Sequence, residues 1–306
     1  MSFQRGGSDL KIQFLNGGLA NQVFQYIFYR YAELSCGDTE PWFLDDSFFY
    51  VHDVHNGYEL GPVFGLQPRL LSTFFDADVW EYMIREKCDR GKSIPQQLLE
   101  NGMEISMVAE ADNVDHWNPF SGKIWRVPND DFYPELIRAP GDVYYHGYWI
   151  RKEWMDAYRD VFEKELSFPE IESTDALNTG YMERIMNSRS VSLHIRRGDY
   201  VKEGLAWDVT AFHQMIETVL LQMPDAVLFV FSDDPDWCRE QSEALGLDLA
   251  HETVLVEGNQ GKNAYRDLQL MSSCEGMCLS NSAFCYLAAL LNKRRSLVVN
   301  PTRRKL

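Results

Sequence analysis

Two adjacent arginines are the residues of this chain best suited to chemistry. Arg196 and Arg197 follow the apolar run 190–195, which carries His194, and they precede Gly-Asp199. Two neighbouring guanidinium groups repel each other unless an anion or a carboxylate lies between them. The planar, permanently charged arginine fork fits the oxygens of a diphosphate, and open α/β sheets bind ligands at strand ends of this kind. The segment predicts an anion site; the alternative is a solvated turn in which one arginine pairs with Asp199.

Two other loops of the second half carry polar groups at predicted strand ends. Asp233 and Asp234 follow the apolar run 226–231, where carboxylates can accept hydrogen bonds from a guanine edge or can cap a helix. Asn281 and Ser282 begin a helical pattern, so free N–H groups and the helix dipole favour an anion there, although an ordinary helix cap uses the same residue types. Together with the arginines, these loops predict a nucleotide-diphosphate pocket.

Two patterns suggest metal binding, and we consider neither convincing. Asp234 and Asp236 fit the D-x-D spacing by which many glycosyltransferases hold a divalent metal, but the proline between them favours a helix start. Cys274, Cys278 and Cys285 have no histidine close by in sequence, so a structural zinc site is disfavoured. We expect no metal and no other cofactor, because the arginines could neutralise the diphosphate, and we expect buried free thiols in a reducing cytoplasm.

The composition restricts the partners. The chain of 306 residues has 29 basic and 46 acidic residues and a formal charge of -17. This balance argues against binding nucleic acid or a broad anionic membrane surface. No apolar run approaches a transmembrane segment, and residues 1–10 lack the apolar core of a signal peptide, so we expect a cytoplasmic protein or one peripheral to the inner face of the membrane. We interpret the basic residues near the end of the chain as a solvated tail, with weak membrane contact as the alternative: Lys293, Arg294, Arg295, Arg303, Arg304 and Lys305.

The elements that position these groups follow an α/β pattern. A strand at 10–15, a glycine loop and a helix to residue 36 open the chain, without the glycine fingerprint of a dinucleotide site or a P-loop. Few elements can be placed between residues 50 and 140. The remaining predicted elements are strands at 42–44, 143–149, 190–195, 226–231, 254–256 and 277–279, and helices at 154–165, after Thr210, after Pro235, at 263–274 and at 280–292. The pattern predicts two facing Rossmann-like domains, residues 1–165 and 166–306, with a cleft between them.

Four motifs give this chain a family resemblance. Residues 194–200 resemble the H-x-R-R-G-D-[YF] motif of the bacterial α-1,2-fucosyltransferases, and residues 17–26 resemble their G-G-L-x-N-Q-x-F-Q-Y. Residues 147–149 resemble the family's G-Y-[FW], and residues 267–284 resemble its D-x-x-x-M-S and N-S-x-F. The matches occur in the family's order along nearly the whole chain.

The resemblance implies a GT-B glycosyltransferase fold with an acceptor-side N-terminal domain and a donor-side C-terminal domain. It implies a galactoside 2-α-L-fucosyltransferase, which transfers L-fucose from GDP-β-L-fucose to the 2-hydroxyl of a terminal galactose in an oligosaccharide. Inversion at the fucose carbon and independence of metal are also implied. A fucosyltransferase of another linkage, another sugar-nucleotide enzyme and a non-catalytic glycan-binding protein remain the alternatives.

The resemblance also implies residue roles on the donor side. Arg196 is expected to bind the β-phosphate with support from Arg197, and His194 to bind the nucleotide. Asp233, or Asp234 in its place, is expected to face guanine. The other expected donor contacts are Asp267, Asn281, Ser282 and the amides of Ala283 and Phe284, with Gly17, Gly18 and Asn21 facing the fucose from the other domain.

Other roles are left open by the sequence. Asp199 is a candidate base for the galactose hydroxyl proton. It could instead orient Arg197 or Tyr200, and we favour this orienting role. Tyr148 and Trp149 are candidate acceptor contacts, with core packing as an equal alternative. The chain departs from the family pattern at Ala20, Ala283 and Tyr286-Leu287, and none of these changes removes a group that the chemistry obviously needs.

Overall fold

The chain forms two compact units, each with its own parallel sheet. The computed structural model describes residues 9–37, 41–111, 118–129, 132–302 and 306. The division between the units falls between Ser167 and Phe168, and each unit contains a five-stranded sheet. Within the described ranges, no helix combines the length and the apolar character that crossing a bilayer requires.

The N-terminal unit has the sheet order β2-β1-β5-β3-β4, with parallel pairing throughout. Its strands are β1 (Lys11–Phe14), β2 (Trp42–Asp45), β3 (Ile105–Glu110), β4 (Ile124–Val127) and β5 (Asp142–His146). Its helices are α1 (Leu19–Cys36), α2 (Phe48–Val51), α3 (Leu60–Phe64), α4 (Ala77–Arg90), α5 (Ile94–Glu100), α6 (Lys152–Asp156) and α7 (Arg159–Glu165).

The predicted opening of the chain is confirmed: a strand, a glycine loop and a long helix follow one another. Strand β1 is buried at every position, as is usual for a central parallel strand. The single helix predicted over 154–165 is wrong, because two short helices, α6 and α7, occupy that range. The predicted strand 143–149 ends at His146, and the aromatic residues that follow it lie in irregular backbone.

The C-terminal unit has the sheet order β10-β9-β6-β7-β8, again all parallel. Its strands are β6 (Ser190–Ile195), β7 (Val227–Ser232), β8 (Glu252–Val256), β9 (Gly276–Cys278) and β10 (Leu297–Val299). Its helices are α8 (Ala176–Met186), α9 (Gly198–Lys202), α10 (Val209–Leu220), α11 (Pro235–Glu240), α12 (Ser242–Leu245), α13 (Tyr265–Met271) and α14 (Ala283–Leu291).

The predicted strands of this unit are confirmed, and β6 lies between β7 and β9. Parallel strands end at the same edge, so the loops that follow β6, β7 and β9 lie side by side. The cap predicted for α10 is wrong. Asp208, not Thr210, accepts a hydrogen bond from the Ala211 amide at 3.0 Å, because Thr210 already lies within the first turn.

The end of the chain is only partly described. Arg303, Arg304 and Lys305 of the predicted basic tail lie outside the described residues. Arg294 and Arg295, expected in a solvated tail, instead contact backbone: Arg294 donates to the Ser273 carbonyl at 2.8 Å, and Arg295 donates to the carbonyl of Ala289.

Candidate functional site

Arg196, immediately after β6, lies between two carboxylates. Its Nε and one terminal nitrogen contact Asp199 Oδ1 at 2.9 and 2.8 Å, and its other terminal nitrogen lies 3.0 Å from Asp233 Oδ2. A guanidinium carries two hydrogens on each terminal nitrogen, so each of these still has an N–H to offer a ligand. The predicted alternative of a pair with Asp199 therefore occurs, and it leaves room for an anion.

Gly198 explains how Asp233 reaches this arginine. A Cβ at Gly198 would lie 2.7 Å from Asp233 Oδ2, closer than real Cβ contacts come. The other oxygen of Asp233 accepts from the Arg197 amide at 2.8 Å. The glycine of the R-R-G-D motif thus allows one carboxylate to organise both arginines.

Arg197 has a different environment. Its guanidinium carbon lies 3.7 Å from the centre of the Trp237 ring, and its Nε lies 3.7 Å from Asp234 Oδ2. That Nε is buried and has no hydrogen-bond partner in the described part of the chain. Asp234 also caps α11, accepting from the Trp237 amide at 3.2 Å.

The two candidate guanine contacts, Asp233 and Asp234, therefore both have partners inside the protein. A guanine edge would have to share or replace these partners. Of the D-x-D pair, Asp234 is the helix cap that the sequence favoured, and the Asp236 carboxylate is 2.6 Å from Arg239. These two carboxylates thus make separate contacts.

Asp199 accepts hydrogen bonds from the Arg196 Nε and from the Tyr200 amide at 3.1 Å. It therefore orients Arg196 rather than Arg197, and it also contacts the Tyr200 backbone. A base role for Asp199 stays the alternative that the sequence left open.

His194 lies beside the third loop. It is 6% exposed, its Nδ1 is 3.4 Å from the Ser280 hydroxyl, and its ring centre is 5.6 Å from that of Phe284. Burial, with a smaller contribution from the Arg196 charge, lowers the pKa of His194 to about 3. The imidazole is therefore neutral at physiological pH, so it can offer a ligand a hydrogen bond but no charge.

The start of α14 has the geometry expected of a capped helix. The Ser282 hydroxyl accepts from the Phe284 amide at 3.2 Å, and the Asn281 side chain donates to the Leu205 carbonyl at 2.9 Å. Ala283 is the first residue of the helix. Helix α9 follows the arginine loop directly, and Leu205 lies just after α9. The Asn281 contact therefore holds the start of α14 close to the segment that continues from the arginine loop.

Asp267, in the first turn of α13, is a largely buried carboxyl. It accepts from Asn259 at 2.8 Å, and burial raises its pKa to about 7. Near neutral pH, this group can act either as a donor or as an acceptor.

The N-terminal glycine loop is held by two buried glutamines that the sequence did not single out. Gln22 donates to the Gly17 carbonyl at 2.9 Å, and Gln25 accepts from the Asn16 amide at 3.0 Å. Gly17 has a φ of 78°, and a Cβ there would lie 2.7 Å from Asn21 Nδ2. These glutamines belong to the N-Q-x-F-Q part of the motif, and that pattern could have revealed them.

The other two positions of this loop are less restricted. A Cβ at Gly18 would meet only His55, at an ordinary 3.6 Å, and Ala20 lies within helix α1, whose backbone angles suit alanine. Contact of Gly17, Gly18 and Asn21 with a sugar stays a prediction.

Trp149 lies in the core of the N-terminal unit, which is the alternative that the sequence left open. It is 3% exposed, stacks on Phe28 at 4.5 Å and donates from Nε1 to Gln13 at 2.7 Å. Its φ of 54° is unusual for a bulky residue. Glu110, another residue missed in the sequence, holds this turn by accepting from the Tyr148 and Trp149 amides at 2.7 and 3.0 Å. Tyr148 is partly exposed, and its acceptor role stays a prediction.

The cysteines have no arrangement typical of a metal site. Within the described residues, no group of three or more His, Cys, Asp or Glu side chains could hold an ion. All six cysteines are free thiols; four are buried, and Cys88 is exposed. Burial raises the pKa of Cys274 and Cys278 to about 12, so these thiols stay protonated.

Comparison with known proteins identifies the family. Glycosyl transferase family 11 matches residues 115–305, more than half of the chain. The chain is 28% identical to an alpha-1,2-colitosyltransferase of Escherichia coli over 169 residues, which is 53% of this chain and 56% of that protein. It is 28% identical to the mouse galactoside 2-alpha-L-fucosyltransferase Sec1 over 110 residues, 34% of this chain and 29% of that one. The chain thus spans little more than half of the first relative's length and under a third of the second's.

Solved structures share the fold. The fucosyltransferase NodZ from Bradyrhizobium superposes with a TM-score of 0.51 at 12% identity, covering 94% of each chain. A mutant of Arabidopsis thaliana FUT1 in complex with GDP gives a TM-score of 0.50 at 12% identity, covering 99% of this chain and 73% of that one. With two parallel α/β units and these neighbours, the predicted GT-B fold is confirmed. The predicted resemblance is confirmed at the family level as well, and the chain belongs to glycosyl transferase family 11.

Proposed function

We propose that this protein is a galactoside 2-α-L-fucosyltransferase that uses GDP-β-L-fucose as donor. The observation that carries the proposal is the loop after β6, at the carboxyl ends of β6, β7 and β9. In this loop Arg196 is held by Asp199, and Arg197 lies beside Asp234. Membership of glycosyl transferase family 11 supports the reaction class. The α-1,2 linkage follows relatives whose names carry it.

The donor assignment is supported by the chemistry of the loops. Arg196 and Arg197 offer N–H groups to phosphate oxygens, and the first turn of α14 offers the Ala283 amide and a favourable dipole, since the Phe284 amide is bonded to the Ser282 hydroxyl. A solved neighbour is described as bound to GDP, and another as soaked with GDP-fucose. We assign the diphosphate to this group of residues and the nucleoside to the surroundings of His194 and Asp267.

The proposed mechanism follows from the bond that breaks. Cleavage of the fucose C1–O bond develops positive charge on the sugar and negative charge on the β-phosphate. Arg196 and Arg197 stabilise the transition state, in which this negative charge grows, more than they stabilise the bound donor. This difference lowers the barrier and accelerates the reaction. The galactose 2-hydroxyl attacks C1 from the opposite face, forms the new C1–O bond with inversion and releases its proton, while GDP leaves with the bonding electrons.

We propose that two fixed guanidinium groups take the place of a metal in neutralising the leaving group. Because Asp199 and Asp233 hold Arg196 before the reaction begins, its charge does not need to reorganise during bond cleavage. Asp199 is then a positioning residue for Arg196, and the proton acceptor is assigned to another group or to water.

We assign the acceptor, a galactose-terminated oligosaccharide, to the N-terminal unit. The strong negative charge of the chain suits a neutral glycan better than nucleic acid. Tyr148 is the candidate contact that remains accessible beside the buried Trp149.

The test is transfer from GDP-fucose to a panel of terminal galactosides, followed by NMR of the product. Fucose at O2 of galactose supports the proposal. Fucose at another oxygen would overturn the linkage but not the donor, and GDP binding without transfer to any acceptor would favour a non-catalytic role.

A second candidate is a colitosyltransferase, because the alpha-1,2-colitosyltransferase match covers 53% of this chain. Competition between GDP-fucose and the GDP ester of colitose, with the same acceptor, separates the two. A higher kcat/KM for the colitose donor would replace fucose in the proposal.

A further inference from the structure

Trp237 has a contact that neither the motifs nor the proposed reaction explains. The guanidinium of Arg197 lies over its ring, with 3.7 Å between the guanidinium carbon and the ring centre. The comparable distance from Arg196 to the Tyr200 ring is 5.9 Å, so only Arg197 of the pair is stacked closely. Trp237 is partly buried and packs against the core of the C-terminal unit, so its ring is a fixed surface.

The start of α11 connects the tryptophan and the arginine through one carboxylate. Asp234 Oδ1 accepts from the Trp237 amide at 3.2 Å, and Asp234 Oδ2 lies 3.7 Å from Arg197 Nε. Pro235, the first residue of the helix, restricts the backbone at this point. The helix start therefore fixes the ring beneath the guanidinium and a negative charge beside it.

The two arginines are consequently held in different ways. Arg196 directs three nitrogens to carboxylates, whereas the Arg197 Nε makes no hydrogen bond to the described residues. A guanidinium that is supported through its face keeps its N–H edges available, because cation–π contact uses none of them. The Arg197 Nε is buried, so the edge that Arg197 offers a ligand is the one formed by its two terminal nitrogens, which make no hydrogen bond to the described residues.

We propose that Trp237 is a positioning residue that presents the Arg197 guanidinium to the diphosphate of the donor. This inference rests on the proposed function, since it requires a nucleoside diphosphate at the loop after β6. In this proposal Trp237 has no substrate contact of its own. Its contribution appears only through Arg197, and this dependence distinguishes it from a residue that merely fills the core.

The experiment is a double-mutant cycle on GDP affinity, with the single variants Trp237→Leu and Arg197→Ala and their combination, measured by calorimetry. Leucine keeps apolar bulk but has no aromatic face. We expect Trp237→Leu to weaken GDP binding about tenfold in the native background and to have almost no effect once Arg197 is alanine. Trp237→Phe, which retains a ring, should restore most of the affinity.

Trp207→Leu is the matched control, because Trp207 is also partly buried against the same core. We expect it to leave GDP affinity unchanged, and thermal melts of all variants report folding separately. Equal losses from Trp237→Leu in both backgrounds, or no loss in either, would overturn the inference while leaving GDP binding intact. If the unmodified protein binds neither GDP nor GDP-fucose, the proposed function itself fails, and the inference fails with it.

Discussion

Replacing Arg196 with lysine keeps the positive charge and removes the fork. In the structure the guanidinium spans Asp199 and Asp233, with contacts of 2.8 Å and 3.0 Å on its two terminal nitrogens. An ammonium is a single point of charge, so it cannot hold both carboxylates and bind a phosphate oxygen in the same geometry. We therefore expect Arg196→Lys to resemble Arg196→Ala in its effect on transfer.

The magnitude follows from the contact to the leaving group. Losing one preorganised donor to a developing oxyanion costs about 3 kcal/mol, or about two orders of magnitude in kcat/KM. Folding should suffer far less, because the Arg196 side chain is 31% exposed and its ion pairs are screened by solvent. We expect a change in unfolding free energy of about 1 kcal/mol or less.

The assay is kcat and KM for GDP-fucose with a saturating acceptor, together with urea unfolding of each variant. Arg189→Lys is the matched control, since Arg189 precedes the opposite end of β6 and pairs with Asp225 and Glu275 at 3.4 Å on the surface. Near-normal turnover in Arg196→Lys would refute the need for a fork, and near-normal turnover in Arg196→Ala would remove this residue from the site.

Four further outcomes are expected. Transfer should survive exhaustive chelation with EDTA, and activity that disappears and returns with magnesium or manganese would contradict the role given to the arginines. Burial and the neighbouring Arg196 guanidinium lower the pKa of His194 from 6.5 to about 3 in the folded protein. Below about pH 6.5 the imidazole is protonated in the unfolded chain but not in the folded one, so the free energy of unfolding falls as the pH drops. The variant His194→Gln should lose this contribution, up to about 1.4 kcal/mol per pH unit in urea unfolding, and an unchanged slope would argue against a buried neutral imidazole. Trp149→Ala should cost about 3–5 kcal/mol of stability because the side chain is 3% exposed, whereas Tyr148→Ala should leave the melt unchanged and raise KM for the acceptor alone. Asp233→Asn should weaken inhibition by GDP and ADP equally, since this carboxylate holds the Arg196 guanidinium and the Arg197 backbone amide, and a loss confined to GDP would instead support a guanine contact.

The sequence predicts most of the C-terminal unit because its strands are continuous apolar runs that end in polar loops. The run 226–231 corresponds to β7 within one residue at each end. Residues 50–140 were not predictable in the same way. Their elements are mostly short, and the helices α3 and α5 have five and seven residues, too few for a helical period to appear.

The partners of the site residues were harder to predict than their positions. The motif places Asp199 three residues after Arg196, a spacing that suggests a pair. The contact of Asp233 with Arg196 depends on β6 and β7 being neighbours in the sheet and on the absence of a Cβ at Gly198. The sequence of one loop does not reveal which other loop lies beside it. The contact of Arg197 with Trp237 depends on the direction in which α11 leaves β7, so it appears only in the folded unit.

The charge balance of these loops suggests how the donor enters. Two guanidinium groups lie among three carboxylates, those of Asp199, Asp233 and Asp234, so the loops carry a negative formal charge of their own. A diphosphate is therefore not attracted by net charge; it must bind where N–H groups point away from the carboxylates. The donors left for it are the remaining N–H groups of Arg196, the terminal nitrogens of Arg197 and the Ala283 amide at the start of α14. Affinity for the donor should consequently depend on the orientation of the guanidinium groups more than on their charge. For that reason Arg196→Lys and Trp237→Leu are more informative than a reversal of charge.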